Sequence, residues 1–68
     1  IVANILLNVN LQLMPQMLRR LRPGATLILS GLIDRDARPM ETALRNKGIT
    51  EFRKLTSGEW VCFVCAAP

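Results

Sequence analysis

One stretch constrains the fold more than any other. Arg22-Pro23-Gly24 is followed without a break by Ala25-Thr26-Leu27-Ile28-Leu29-Ser30-Gly31-Leu32. Proline fixes one backbone angle and glycine supplies the conformations other residues avoid, so the triplet is a tight turn. The apolar, β-branched run after it is too short for a stable helix and has the composition of a buried strand. A strand at Ala25–Leu32 needs partners, and the rest of the chain must provide them. Its closing pair, Ser30-Gly31, is small and exposes backbone where a ligand could come close.

A second buried-strand candidate is Ile1–Leu7, interrupted by one polar residue, Asn4. Asn8-Val9-Asn10 then offers side chains that cap helix starts. Leu11, Met14, Leu18 and Leu21 recur at helical spacing and leave Arg19 and Arg20 outward, in a last turn whose dipole suits cations. Pro15 leaves two openings: a helix starting near Met14, or a first turn begun at Asn10 or slightly later. Pro23-Gly24 is expected to end that helix. Beyond the central strand, Asp34 and Asp36 are both N-cap candidates. Asp36 is preferred, because Pro39 then falls at the third helical position, where no intrahelical donor is lost. Met40, Ala43 and Leu44 form the apolar stripe, and Gly48 suits the position past the helix end. Ile49–Leu55 is strand-like but carries Glu51, Arg53 and Lys54, the charge pattern of an edge. Thr56-Ser57-Gly58-Glu59 is expected to turn. Trp60–Ala66 is apolar without alternation, which predicts burial on both faces and an interior place in the sheet.

The sum is an α/β chain of order β-α-β-α-β-β. Right-handed crossovers put both helices on one face. The apolar last strand belongs between the central strand and the charged edge, giving strand order first, second, fourth, third, with the last pair antiparallel. The central strands are apolar on both sides, so the face without helices is expected to need a cover, either from further polypeptide or from a second copy of the chain. The sequence opens inside an apolar run with no methionine and no charged leader, the pattern of a piece of a longer polypeptide and not of a signal peptide.

Composition narrows the chemistry. Sixty-eight residues make at most one small domain, half of them hydrophobic, with only Phe52, Trp60 and Phe63 aromatic. Without a histidine the commonest general base and neutral metal ligand are missing, and Ser30 has no imidazole to activate it as a nucleophile. The net charge is +4, but no basic run exceeds two residues, so a nucleic-acid partner is not expected. No apolar run reaches the ~20 residues of a membrane span. Cys62 and Cys65 have C-x-x-C spacing but would face opposite sides of a strand, and no second pair exists to complete a zinc site, so both are expected to pack. Two places keep two readings each. Asn4 is a carboxamide bonded to neighbouring backbone, or a ligand contact at the carboxyl end of a parallel strand. Ser30-Gly31, at the equivalent end of the next strand, is a close-packed turn, or the lining of a substrate pocket.

Val2-Ala3-Asn4-Ile5-Leu6, then Leu21-Arg22-Pro23-Gly24-Ala25-Thr26-Leu27-Ile28-Leu29-Ser30-Gly31-Leu32, then Gly48 and Glu59-Trp60-Val61 resemble the C-terminal part of the ribosomal protein L11 methyltransferase family. These are class I S-adenosylmethionine-dependent methyltransferases. The resemblance implies the C-terminal half of their Rossmann-like fold: fourth strand, helix, fifth strand, helix, sixth strand, and an inserted antiparallel seventh. It implies a cofactor contact at Asn4, with Ala3 and Ile5 beside it, a ribosomal protein whose amino groups accept methyl, and a cytoplasmic setting. The family's glycine-rich loop and its ribose-binding acid match nothing here. S-adenosylmethionine is therefore implied for the full-length family and not expected to bind tightly to this chain alone.

Overall fold

The structure, a computed structural model, describes residues 1–4 and 6–68. Four strands and two α-helices follow the expected order: β1 Val2–Asn4, α1 Leu7–Arg19, β2 Thr26–Ile33, α2 Ala37–Asn46, β3 Phe52–Ser57 and β4 Trp60–Ala66. The sheet order is β1-β2-β4-β3, with β1 parallel to β2 and β4 antiparallel to both of its neighbours. This is the arrangement the pattern predicts.

The first third departs from expectation. β1 stops at Asn4, and α1 starts at Leu7, with Leu6 as its N-cap. Leu7 is thus the first member of the helical stripe continued by Leu11, Met14 and Leu18, all packed on the core. Neither asparagine acts as the expected cap. The Asn8 side-chain oxygen accepts the Val9 N–H at 3.1 Å, and Asn10 is fully buried inside the helix. Pro15 lies at the ninth position of α1, where it removes a donor and crowds the preceding turn at a cost of about 3 kcal/mol. Apolar burial on both sides, above all Met14, holds the helix through it. The helix ends on Arg19, four residues before the expected Pro23-Gly24 stop. That pair instead makes its own turn, in which the Ala25 N–H donates to the Arg22 carbonyl at 3.0 Å.

α2 begins where Asp36 predicts, with Pro39 third, but a short 3₁₀ turn over Asp34–Asp36 precedes it. The Asp36 carboxylate reaches backward to accept the Ile33 N–H at 3.0 Å instead of capping its own helix. At the other end, Gly48 donates to Arg45 (3.0 Å) and Ile49 to Leu44 (2.9 Å), the paired bonds of a Schellman stop. Ile49 is therefore buried under the helix end and is not a strand residue. β3 extends to Ser57, two residues into the expected turn, so the loop is only Gly58-Glu59. Gly58, at φ +59°, takes the first position of a two-residue hairpin loop, where a type II′ turn requires it.

Leu27, Leu29 and Leu32 of β2, Val61, Phe63 and Cys65 of β4, Met14 of α1, and Met40 and Leu44 of α2 form one buried cluster. Both helices therefore cover the same face. Phe52 meets Phe63 edge-on at 5.8 Å between centroids, and the Arg45 guanidinium lies 5.7 Å over the Phe52 ring, clipping the edge strand to α2. The opposite face carries Val2, Ile28, Leu55, Trp60, Cys62 and Val64, uncovered or half-covered. β4 consequently alternates, correcting the expectation that it is buried on both sides. Trp60 is 58% exposed.

Candidate functional site

The site lies at the carboxyl end of the parallel pair β1–β2. Asn4 and Ser30 are register partners there, and Asn4 is exposed. Parallel strands end their side chains and carbonyls in one direction, which is why ligands of open α/β sheets collect at this edge. Ala3, one residue back, points the other way into the core, and its carbonyl faces Ser30. The Ser30 hydroxyl donates to it at 3.5 Å, the long limit of a hydrogen bond. Of the three residues expected around a cofactor, Ala3 brings its carbonyl to this edge and Asn4 an exposed side chain, while Ile5 lies outside the described residues.

Ser30-Gly31 is neither a strand end nor a turn. β2 runs on to Ile33, and the pair forms a β-bulge: Leu29 opposes Phe63 and Leu32 opposes Val61, so two residues on β2 face one on β4. Gly31 has φ +81°, a conformation costly for any residue with a Cβ. The extra residue changes which side chains face inward. Leu27 and Leu29 point to the core, and so does Leu32, three positions further instead of two.

The bulge forms one wall of a cavity of about 500 Å³ lined by Asn4, Ser30, Gly31, Leu55, Thr56, Ser57, Trp60, Val61 and Cys62. Asn4, Ser30 and Gly31, singled out separately along the sequence, thus share one wall. The other wall is the β3–β4 hairpin, whose site role the sequence reading missed. The signal was available in the Gly58 loop: a two-residue turn fixes Trp60 opposite Ser57 and carries both back beside the bulge. The Asp34 N–H, donating to the Glu59 carbonyl at 3.0 Å, ties that hairpin end to the end of β2.

The lining is electrically neutral. It offers the Asn4 carboxamide, two hydroxyls (Ser30 and Ser57) and an indole, with no acidic and no basic side chain. Arg35 and Asp36 stand beyond Trp60, in the adjoining hollow. Arg19, Arg20, Arg22, Arg45 and Lys47 cluster at the opposite end of the sheet, where both helices finish. Such a lining fits the methyl-bearing end of a sulfonium donor and an amine, which need acceptors and an absence of repelling cations. It has no carboxylate for a ribose diol, so it fits only that one end of S-adenosylmethionine.

The cysteines behave as packing residues. Cys65 is buried on the helix side and Cys62 half-buried on the other, both as free thiols. Burial, and secondarily the nearby Cys62, push the Cys65 thiol up to about 11, the reverse of an activated thiol. Among the described residues no group of three or more His, Cys, Asp or Glu could hold a metal, and no helix is long and apolar enough to cross a membrane.

Comparison with known proteins gives one consistent match. A family model described as ribosomal protein L11 methyltransferase (PrmA) matches residues 1–68. The ribosomal protein L11 methyltransferase of Desulforapulum autotrophicum is 42% identical over 94% of this chain and 21% of its own length. That of Moorella thermoacetica is 45% identical over 94% of this chain and 20% of its own. The crystal structure of a ribosomal protein L11 methylase from Lactobacillus delbrueckii subsp. bulgaricus superposes with a TM-score of 0.88 at 29% identity, over 97% of this chain and 34% of that one. The chain spans about a fifth of the length of the curated relatives it matches.

Proposed function

The chain belongs to the ribosomal protein L11 methyltransferase family, and on that premise we propose that it is the acceptor-side half of a protein N-methyltransferase site. Its fold is Rossmann-like, as in the L11 methylase it superposes on. The observation that carries the reading is the shared wall: Asn4, Ser30 and Gly31 line one cavity at the carboxyl end of two parallel strands.

S-adenosylmethionine supplies a methyl group on a sulfonium; as the methyl bonds to an amine nitrogen its bond to sulfur breaks, the electron pair stays on sulfur, and the positive charge passes to nitrogen. The Asn4 carboxamide and the Ala3 backbone hold the methyl end. The Asn4 oxygen and the Ser30 hydroxyl accept N–H bonds from the acceptor amine and aim its lone pair. Gly31 leaves the wall open for the acceptor. Positioning supplies much of the rate in such a displacement, and a misplacement of about 1 Å costs on the order of 10²-fold. The acceptor is an amino group of a ribosomal protein, in a cytoplasmic setting. The other half of the fold supplies the cofactor's ribose contacts, so this chain alone neither binds S-adenosylmethionine tightly nor transfers methyl.

A chimera tests this: the Moorella thermoacetica enzyme with its matching C-terminal fifth replaced by this chain. Transfer of labelled methyl to ribosomal protein L11 is expected, with a loss on the order of 10²-fold in Asn4→Ala. A folded chimera that is inactive, or one indifferent to Asn4→Ala, overturns the proposal. Micromolar binding of S-adenosylmethionine to the 68-residue chain, by calorimetry, overturns its division of labour.

A second reading draws on the exposed Val2, Leu55 and Trp60: a small α/β module that dimerises through its uncovered sheet face, without catalysis. A concentration-independent monomer in sedimentation equilibrium removes it.

A further inference from the structure

Trp60 is the largest apolar side chain left exposed, and it stands between two hollows. A tryptophan placed for packing alone would turn toward the cluster that buries Phe63, three positions along the same strand. The backbone pairing prevents that. Trp60 opposes Ile33 on one side and Ser57 on the other, on the sheet face away from the helices. Its indole therefore borders the cavity whose remaining polar side chains include the Asn4 carboxamide and the hydroxyls of Ser30 and Ser57.

The structure assigns Trp60 as a cation-binding wall that takes the positively charged nitrogen of an alkylammonium group. Three properties of the cavity point the same way. Its polar groups offer oxygen lone pairs to a cation. No basic side chain in its lining repels one. An indole face supplies the negative quadrupole that attracts a diffuse cation, more strongly than any other ring does. No carboxylate competes for the charge, so selection falls on a soft, alkylated nitrogen more than on a small hydrated one. In the methyl-transfer reading, on which the identity of this cation rests, that nitrogen is the acceptor amine once it carries charge. An indole beside it contributes more after the charge arrives than before, which favours the transition state over the bound neutral amine.

Trp60 is the only tryptophan and the chain has no tyrosine, so its fluorescence reports this site alone. The test titrates the 68-residue chain with choline and, separately, with 3,3-dimethylbutan-1-ol, the neutral carbon counterpart of the same shape, at ionic strength held constant with sodium chloride. Choline is expected to give a saturable change at concentrations on the order of two- to fivefold lower than the alcohol. Chemical shifts of the Asn4 amide should follow the same curves, and Trp60→Leu should abolish the preference while leaving the spectrum of the core unchanged. Equal responses to the two probes, a preference for the alcohol, or no response to either overturns the assignment. Cation preference with an inactive chimera sinks the methyl-transfer reading and keeps this site; an active chimera without cation preference does the opposite.

Discussion

On the helix side of the sheet, Leu27, Leu29, Leu32 and Phe63 are wholly withdrawn from water; on the other side Val2, Leu55 and Trp60 are exposed. One sheet supplies both sets, its side chains alternating between the faces. What differs is the partner. α1 and α2 bring Met14, Met40 and Leu44 down onto one face, and among the described residues no helix packs onto the other. Stability is therefore concentrated on one face and the candidate chemistry on the other, with the bulge at Ser30-Gly31 the place where the two meet.

The largest test of that division is Phe63→Ala. Phe63 sits at the centre of the cluster and carries the edge-on contact to Phe52, so its truncation should cost about 3–5 kcal/mol in urea denaturation, enough to unfold a domain this small. A cost below 1 kcal/mol would mean that the helix face is not the stabilising one. Next comes Gly31→Val. A β-branched residue at φ +81° is strained, and about 1–3 kcal/mol is expected, together with shifted resonances for Leu32. Wild-type stability in this variant would show that the bulge is dispensable. Smaller again is a pH effect from Cys65. The folded thiol keeps its proton up to about 11, whereas the unfolded one releases it near its ordinary 9.0. The folded chain then holds more protons across that window, so the stabilising contribution is complete below pH 9 and is lost as pH climbs through 11. Cys65→Val should flatten that part of a urea-midpoint profile; an unchanged slope contradicts the assigned burial. The smallest effect belongs to Leu55→Ser on the uncovered face, expected within about 0.5 kcal/mol. If it rivals Phe63→Ala, the contrast between the faces is lost.

Much of this architecture was legible because the strongest local signals agree with the global fold. The Pro-Gly turn, the run from Ala25, Asp36 with Pro39, and Gly48 each specify one local structure, and the strand order follows once the charged edge and the apolar last strand are recognised. The misreadings share a cause. Leu6-Leu7 extended an apolar run and so read as strand, although Leu7 is in phase with Leu11 and Met14. Pro15 argued for a later start to a helix that tertiary burial holds together through it. Trp60 read as interior because hydrophobicity reports that a residue prefers a partner, not whether the chain contains one. In the site, Asn4 and Ser30-Gly31 stood out as polar or small residues inside apolar runs. Thr56, Ser57 and Trp60 did not, because their place depends on a hairpin register set by a two-residue loop.

One inserted residue in β2 lets two design problems be solved separately. Downstream of Gly31 the strand resumes its inward rhythm at Leu32, so the hydrophobic interior is continuous across a point where the backbone itself has stepped out of phase. Substitutions that reshape the rim at Ser30 or Ser57 need not propagate into the packed layer beneath. A fold with such a clutch can change what it accepts without renegotiating how it holds together.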